Sequence, residues 1–249
     1  MGYLEDIRKY ELREVMSQFP PEGRLLEIGA GSGWQARLLS EAGYDVEAID
    51  VKESRYAAER FWPVRDYDGA HIPFPDGSFD VIFSSNVLEH IKDLDEFLIE
   101  TKRVLKTDGL ALHIMPSSSW RFWTNLSHYL LPLKFMLKLA GRRDQGEHAH
   151  SVRDAINNGE TAFGLAGKVL MPIRHGERGN ALSEILLYRR AWWIGRFERA
   201  GLEVVCTFSP KIFYTGNRIF ENRLSIRVRM LLGRMLGYST VAYVVKKVT

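Results

Sequence analysis

A chain of 249 residues, 45% hydrophobic and 26% charged, has enough apolar material for a full core. This excludes a disordered chain and fits one large α/β domain, or one domain with a sizeable insertion. A single cysteine, Cys206, excludes a disulfide framework and suits a reducing compartment. The net charge of +3 joins unequal halves: residues 1–116 hold 13 Lys and Arg against 22 Asp and Glu, and residues 117–249 hold 21 against 9.

The first residues are charged and carry no apolar stretch of the kind a secretory signal needs. Asp6 stands where a myristoylation signal needs Ser or Thr. Residues 4–18 read as an amphipathic helix ended by Pro20 and Pro21. LLEI at 25–28 is a short buried strand, 34–42 a helix stopped by Gly43, and 46–50 the next strand. A short helix over 53–61 and a weak strand near 63–66 follow. Residues 79–85 form a clear strand. Residues 93–106 form an amphipathic helix with Asp93 as N-cap and Gly109 as stop, and 110–116 a further strand. This alternation predicts a parallel sheet covered by helices.

After Pro116 the rhythm breaks, and 117–182 reads as irregular. Regular structure returns with a helix at 189–200, a strand at 202–208, a basic amphipathic helix at 218–236 and a strand at 240–247. The most apolar stretch, 126–139, contains His128, Pro132, Lys134 and Lys138, so no membrane span is expected.

LLEIGAGSG, residues 25–33, sets three glycines at alternate positions directly after a strand. Such a turn lies at the carboxyl end of an open α/β sheet, where ligands bind, and glycine tolerates close backbone approach. The dinucleotide spacing G-x-G-x-x-G fails, because Trp34 stands where the third glycine belongs, and no Walker lysine follows. A carboxylate at Asp50 can accept from both hydroxyls of a ribose. In DYDGAHIPFPDGSFD, residues 66–80, Asp68 can accept from an exocyclic amine and the Phe74 loop can pack on a purine. Asn86 and Val87-Leu88-Glu89-His90 come after the next strand.

Taken together, E-x-G-x-G-x-G, Asp50, D-x-x-x-I-P-F-P-D-G-S-F-D and V-L-E-H-I resemble class I S-adenosylmethionine-dependent methyltransferases. The likeness is closer to the branch that includes quinone-biosynthesis and other small-molecule methyltransferases. It covers about residues 20–116, and 189–247 more loosely. It implies a Rossmann-like seven-stranded α/β sheet, mostly parallel, with helices on both faces and the last strand, 240–247, antiparallel. Residues 1–20 would be an N-terminal helix, 21–116 the cofactor-binding core, 117–188 a lid-like insertion over the substrate, and 189–249 the completion of the core. The implied cofactor is S-adenosyl-L-methionine. Glu27, Gly29, Ala30, Gly31 and Gly33 would line its methionine part, and Asp50 with Val51 its ribose. Asp68, Gly69, Ala70 and Ile72 would line its adenine, and Asn86 would meet its amino group. A sulfonium and an ammonium without phosphates also suit an acidic first half.

The candidate for a base is His90, just beyond a strand end; Glu89-His90 read otherwise simply begins a helix. His113 reads as a packed core histidine. In the insertion, His148, His150, Asp154 and His175-Gly176-Glu177 match no metal signature, so no metal is expected there, and the segment reads as a substrate-contacting or exposed loop. Over 218–236, Phe220, Leu224, Val228, Leu231 and Met235 share a helical face, with Arg218, Arg223, Arg227 and Arg234 elsewhere. Such a helix either packs its apolar face on the sheet or lies on an anionic membrane. The acceptor expected is small or lipid-linked, nucleic acid is disfavoured, and the location is cytoplasmic with contact at the inner membrane surface. A nicotinamide-dependent oxidoreductase and a catalytically silent cofactor-binding module are the alternatives.

Overall fold

The computed structural model describes residues 3–141, 172–216 and 223–248. Seven strands form one sheet: β1 (Arg24–Ile28), β2 (Asp45–Val51), β3 (Arg65–Tyr67), β4 (Phe79–Ser85), β5 (Leu105–Pro116), β6 (Leu202–Phe208) and β7 (Thr240–Lys247). Their order is β3-β2-β1-β4-β5-β7-β6. β1 to β5 run parallel, and β7 is antiparallel to both β5 and β6. The expected antiparallel last strand is therefore present, inserted between β5 and β6.

Seven helices occur among the described residues: α1 (Tyr3–Met16), α2 (Trp34–Glu41), α3 (Leu94–Val104), α4 (Ser118–Gly141), α5 (Glu184–Leu187), α6 (Arg190–Arg199) and α7 (Ile226–Leu236). The central strands bury both faces, as their unbroken apolar runs require. One face packs Leu26, Ile28 and Ile82 with Phe97, Trp193 and Phe197, and the other packs Leu25, Val81 and Phe83 with Leu12, Val15 and Leu39. The buried carboxylate of Glu11 accepts from Arg8 and from the Thr240 hydroxyl, which ties α1 to β7.

Several expectations are corrected. The helix over 53–61 is a single 3-10 turn, Ala57–Glu59. Gly109 is not a helix stop but lies inside β5, where a Cβ would meet the Phe79 and Asp80 carbonyls at 3.1 and 3.0 Å. Asp93 occupies the cap position of α3 without a capping side-chain bond. The expected helix at 189–200 is α6, and the short α5 precedes it within the 117–188 segment.

The largest correction is α4, a 24-residue helix in a segment that reads as irregular. The Ser117 hydroxyl caps it by accepting from Trp120 N at 3.0 Å. Over residues 118–129 its buried side is largely polar: Arg121, Thr124 and Asn125 point inward beside Trp120, while Phe122, Leu126 and Tyr129 are about half exposed. The inward groups find partners, Arg121 on Glu184, Asn125 on the Ala181 carbonyl and Thr124 on Gly216 N. An apolar-inside pattern cannot be read from such a helix because its polarity is inverted.

Candidate active site

Strand order reverses between β1 and β4, so the carboxyl ends of these neighbours flank the cleft of a doubly wound sheet. The glycine turn leaves β1 here. Gly29, Gly31 and Gly33 have φ of 72°, 58° and 85°, all left-handed. A Cβ at Gly29 would meet Val87 Cγ2, and one at Gly33 would meet Trp62 Cβ, each at 2.4 Å. Two of the three glycines are therefore required by the protein's own packing. At Gly31 the neighbour is the ring of half-exposed Tyr56, 3.3 Å from a Cβ there, and this ring forms the outer lip of the turn.

Asp50, at the end of β2, accepts from Gly31 N through Oδ2 and from Val51 N through Oδ1, both at 2.8 Å. It thus holds the turn against the strand, and each oxygen keeps lone-pair capacity. Glu27 is buried in the last part of β1, and its Oε2 has no hydrogen-bond partner. Burial, with a contribution from the Asp50 charge, pushes its pKa up to about 8, against the pull of the Ala36 N–H.

The protonated form of Glu27 is the favoured one in the fold. The unfolded chain ionises near the ordinary value of 4.5. Between these values the unfolded state binds fewer protons, so this group's contribution to stability falls as pH rises from about 4.5 to about 8 and is level above. Glu27→Gln is expected to raise stability relative to the parent by a few kcal/mol at pH 8, on the order of the linkage from such a shift. The advantage should vanish near pH 4.5. Paired thermal melts across this range check it; a constant offset would contradict it.

The other predicted residues lie around the same end of the sheet. Asp68 accepts from Ala70 N and His71 N through Oδ1, and meets His71 Nδ1 through Oδ2. These bonds hold its pKa down at about 2. It therefore organises its own exposed turn, with Gly69 at φ 83° in the middle. Phe74 does not present a face to the cleft: it is buried edge-on against Phe79, centroids 4.9 Å apart, and Ile72 is buried in the same cluster. Asn86 follows β4 in the left-handed region at φ 57°, its N–H donating to the Ile114 carbonyl. His113 is a core histidine as expected. It meets the Ser84 hydroxyl at 2.8 Å, lies against Phe197, and is kept neutral by burial, with a pKa of about 3.

Beyond Asn86, the 3-10 turn Leu88–His90 carries the pair at the end of V-L-E-H. Glu89 is wholly buried, and neither carboxylate oxygen has a hydrogen-bond partner. His90 Nε2 and His175 Nε2 stand 3.8 and 3.7 Å from Glu89 Oε1. The two imidazoles meet edge to face at 4.8 Å, and His175 also meets Trp120 at 4.7 Å. His175 sits here because residues 172–189 fold back over the strand ends. Its N–H and that of Gly176 donate to Glu184, and Glu177 N donates to the Glu89 carbonyl. Gly176 permits this approach, since a Cβ would lie 2.7 Å from Glu89 O. Behind the loop, Arg121 Nε and Glu184 Oε2 form a buried ion pair at 2.8 Å.

Sequence spacing groups His175 with His148, His150 and Asp154, which lie outside the described residues. The structure groups it with His90, 85 positions earlier, and with Glu89. A groove of about 550 Å³ along the edge strand β6 contains none of these groups.

A glycine turn after β1, an acid ending β2, and β7 slotted antiparallel between β5 and β6 define a Rossmann-like cofactor-binding enzyme. Residues 26–113 match the family model described as a methyltransferase domain. Over 193 residues the chain is 31% identical to an uncharacterized methyltransferase of Mycobacterium tuberculosis, covering 70% of each. A probable S-adenosylmethionine-dependent methyltransferase of Mycolicibacterium smegmatis is 34% identical over 97 residues, 37% of this chain and 38% of that one. The solved structure of an S-adenosylmethionine-dependent methyltransferase from Mesorhizobium loti shares the fold, with a TM-score of 0.56 at 14% identity over 96% of this chain and 98% of that one. The chain belongs to the class I S-adenosylmethionine-dependent methyltransferases, and S-adenosyl-L-methionine is its cofactor.

Proposed function

We propose that this methyltransferase acts on a small acceptor carried by a lipid, met at an anionic membrane surface. The observation that supports this is an inversion on α7 like that on α4. Arg229 is 3% exposed, its guanidinium donating to the Leu224 and Phe213 carbonyls, while Val228, Leu231 and Met235 are 41, 57 and 75% exposed. The face expected to pack on the sheet is the outer one, and exposed Arg227 and Arg234 border it. The two inverted helices are joined where Trp123 Nε1 donates to the Leu236 carbonyl at 2.8 Å. An apolar stripe with arginines at its edges suits insertion among acyl chains beneath anionic headgroups. Among the described residues no helix is long and apolar enough to cross a membrane, so the contact proposed is peripheral.

The residues at the strand ends fit the cofactor. Asp50 keeps acceptor capacity for two ribose hydroxyls, and the orphaned Glu27 oxygen can meet an ammonium. Asn86, in its left-handed turn, offers a backbone carbonyl to the same ammonium. Bound, the cofactor supplies a methyl carbon attached to a cationic sulfur that departs readily. The chain's contribution is alignment, which is worth about 7–11 kcal/mol when the reacting atoms are held in line. His90, beside the acceptor-side loop, is the side chain proposed to face the acceptor.

Co-sedimentation with vesicles tests the membrane assignment. The parent should bind anionic vesicles at low salt and not zwitterionic ones. Leu231→Glu combined with Met235→Glu should reduce binding about tenfold or more, since burying each side chain is worth ~1.5–3 kcal/mol. No binding to anionic vesicles at low salt would sink the lipid-linked assignment.

A further inference from the structure

We propose that Glu89, His90 and His175 form a divalent-metal centre of the zinc type at the acceptor side of the site. Three observations carry it. First, the chemistry of the set is right: one carboxylate and two imidazoles are the donors of three-ligand zinc sites, which leave a position open. Second, the geometry is nearly closed. Glu89 Oε1 lies 3.8 Å from one imidazole Nε2 and 3.7 Å from the other, and the ligand atoms all fall within 4.8 Å of one another. A point equidistant from three such atoms lies about 2.4 Å from each, a few tenths of an ångström beyond zinc–nitrogen and zinc–oxygen bonds. Third, Glu89 is wholly buried with both oxygens unpartnered, and the two imidazoles that face it stand too far away to hydrogen-bond. A buried carboxylate without hydrogen bonds is costly, and a cation on these three groups removes that cost.

The supports behind the ligands belong to the same arrangement. Glu184 holds the backbone of His175 and Gly176, and Arg121 holds Glu184. Positions on the ion not taken by the protein would accept oxygens of the acceptor, for example adjacent hydroxyls. That role rests on the methyl-transfer reading above; binding of the ion does not.

The test uses the full chain without a histidine tag, stripped with chelator and titrated with Zn²⁺ alone in a calorimeter. Saturable binding of one ion per chain is expected, and Co²⁺ in its place should give the intense visible bands of a four- or five-coordinate site. Glu89→Gln and His175→Ala should each weaken Zn²⁺ binding about tenfold or more, while His71→Ala, on the exposed turn, should leave it unchanged. Should a variant fail to fold, modification of the parent's histidines by diethyl pyrocarbonate, mapped by mass spectrometry, answers the same question: Zn²⁺ should protect His90 and His175 and leave His71 reactive. Absence of stoichiometric binding, binding unaltered in both folded variants, or equal modification of His90 and His175 with and without Zn²⁺ would overturn the metal centre. None of these readouts depends on turnover, so a failed metal centre and a failed acceptor assignment remain distinguishable.

Discussion

Asp50→Ala is expected to weaken S-adenosylmethionine binding about 10- to 100-fold, the loss of a charged hydrogen bond worth ~1.5–3 kcal/mol. The carboxylate has two duties at one place. It accepts from Gly31 N and Val51 N, which fixes the turn beside the strand, and its remaining lone pairs are proposed for the ribose hydroxyls. Alanine removes both. Asp50→Asn separates them: it keeps the side chain's size and one acceptor oxygen, and should fall between alanine and the parent. Calorimetric titration with the cofactor, alongside a thermal melt of the free chain, gives both numbers. An affinity unchanged in the alanine variant would remove Asp50 from the site.

Arg121→Met is expected to cost the fold about 3 kcal/mol or more, because it leaves the Glu184 carboxylate buried without its counter-charge. Both side chains are almost fully buried, with their ions 2.8 Å apart. Arg121 also donates to the Ile173 carbonyl at 2.7 Å, so the loss extends to the loop that carries His175. Glu184 retains the N–H groups of His175 and Gly176, which sets the loss at the lower end of the range for broken buried pairs. For a chain of this size the midpoint should fall by about 6–12 °C. Adding Glu184→Gln to Arg121→Met should recover part of it, because the uncompensated charge is then gone. A melt of Arg121→Met within a degree of the parent would show the pair to be of no structural account.

The parallel half of the fold is legible in the sequence for a simple reason. Strands buried on both faces must be apolar throughout, and LLEI and FDVIFSS are so. The turn after β1 is legible because three left-handed positions, alternating over five residues, need glycine. The second half is legible only in part: α6, β6 and β7 stand where expected, whereas α4 and α7 show why the rest is not. Each buries arginine and exposes leucine, methionine or aromatic rings, so hydrophobic periodicity points the wrong way or not at all. Of the two readings of the 218–236 helix, the one that packs Val228, Leu231 and Met235 on the sheet fails for that reason. The cluster at Glu89 was half legible. His90 stands out at a strand end, but its partnership with His175 depends on the return of residues 172–189 over the sheet. Gly176 is the one local sign of that close approach, and it has meaning only once Glu89 O is known to lie beneath it. The glycines also have a reason that the sequence does not show, since Val87 and Trp62 occupy the space where a Cβ would stand at two of them.

The most direct measurement is equilibrium binding of S-adenosylhomocysteine and of NAD to the same preparation of the full chain. One molecule of S-adenosylhomocysteine per chain, displaced by S-adenosylmethionine and unaffected by NAD, is the result predicted by a phosphate-free pocket built on Glu27, Asp50 and the 29–33 turn. Saturable NAD binding there, or no binding of the adenosyl compounds, would contradict it.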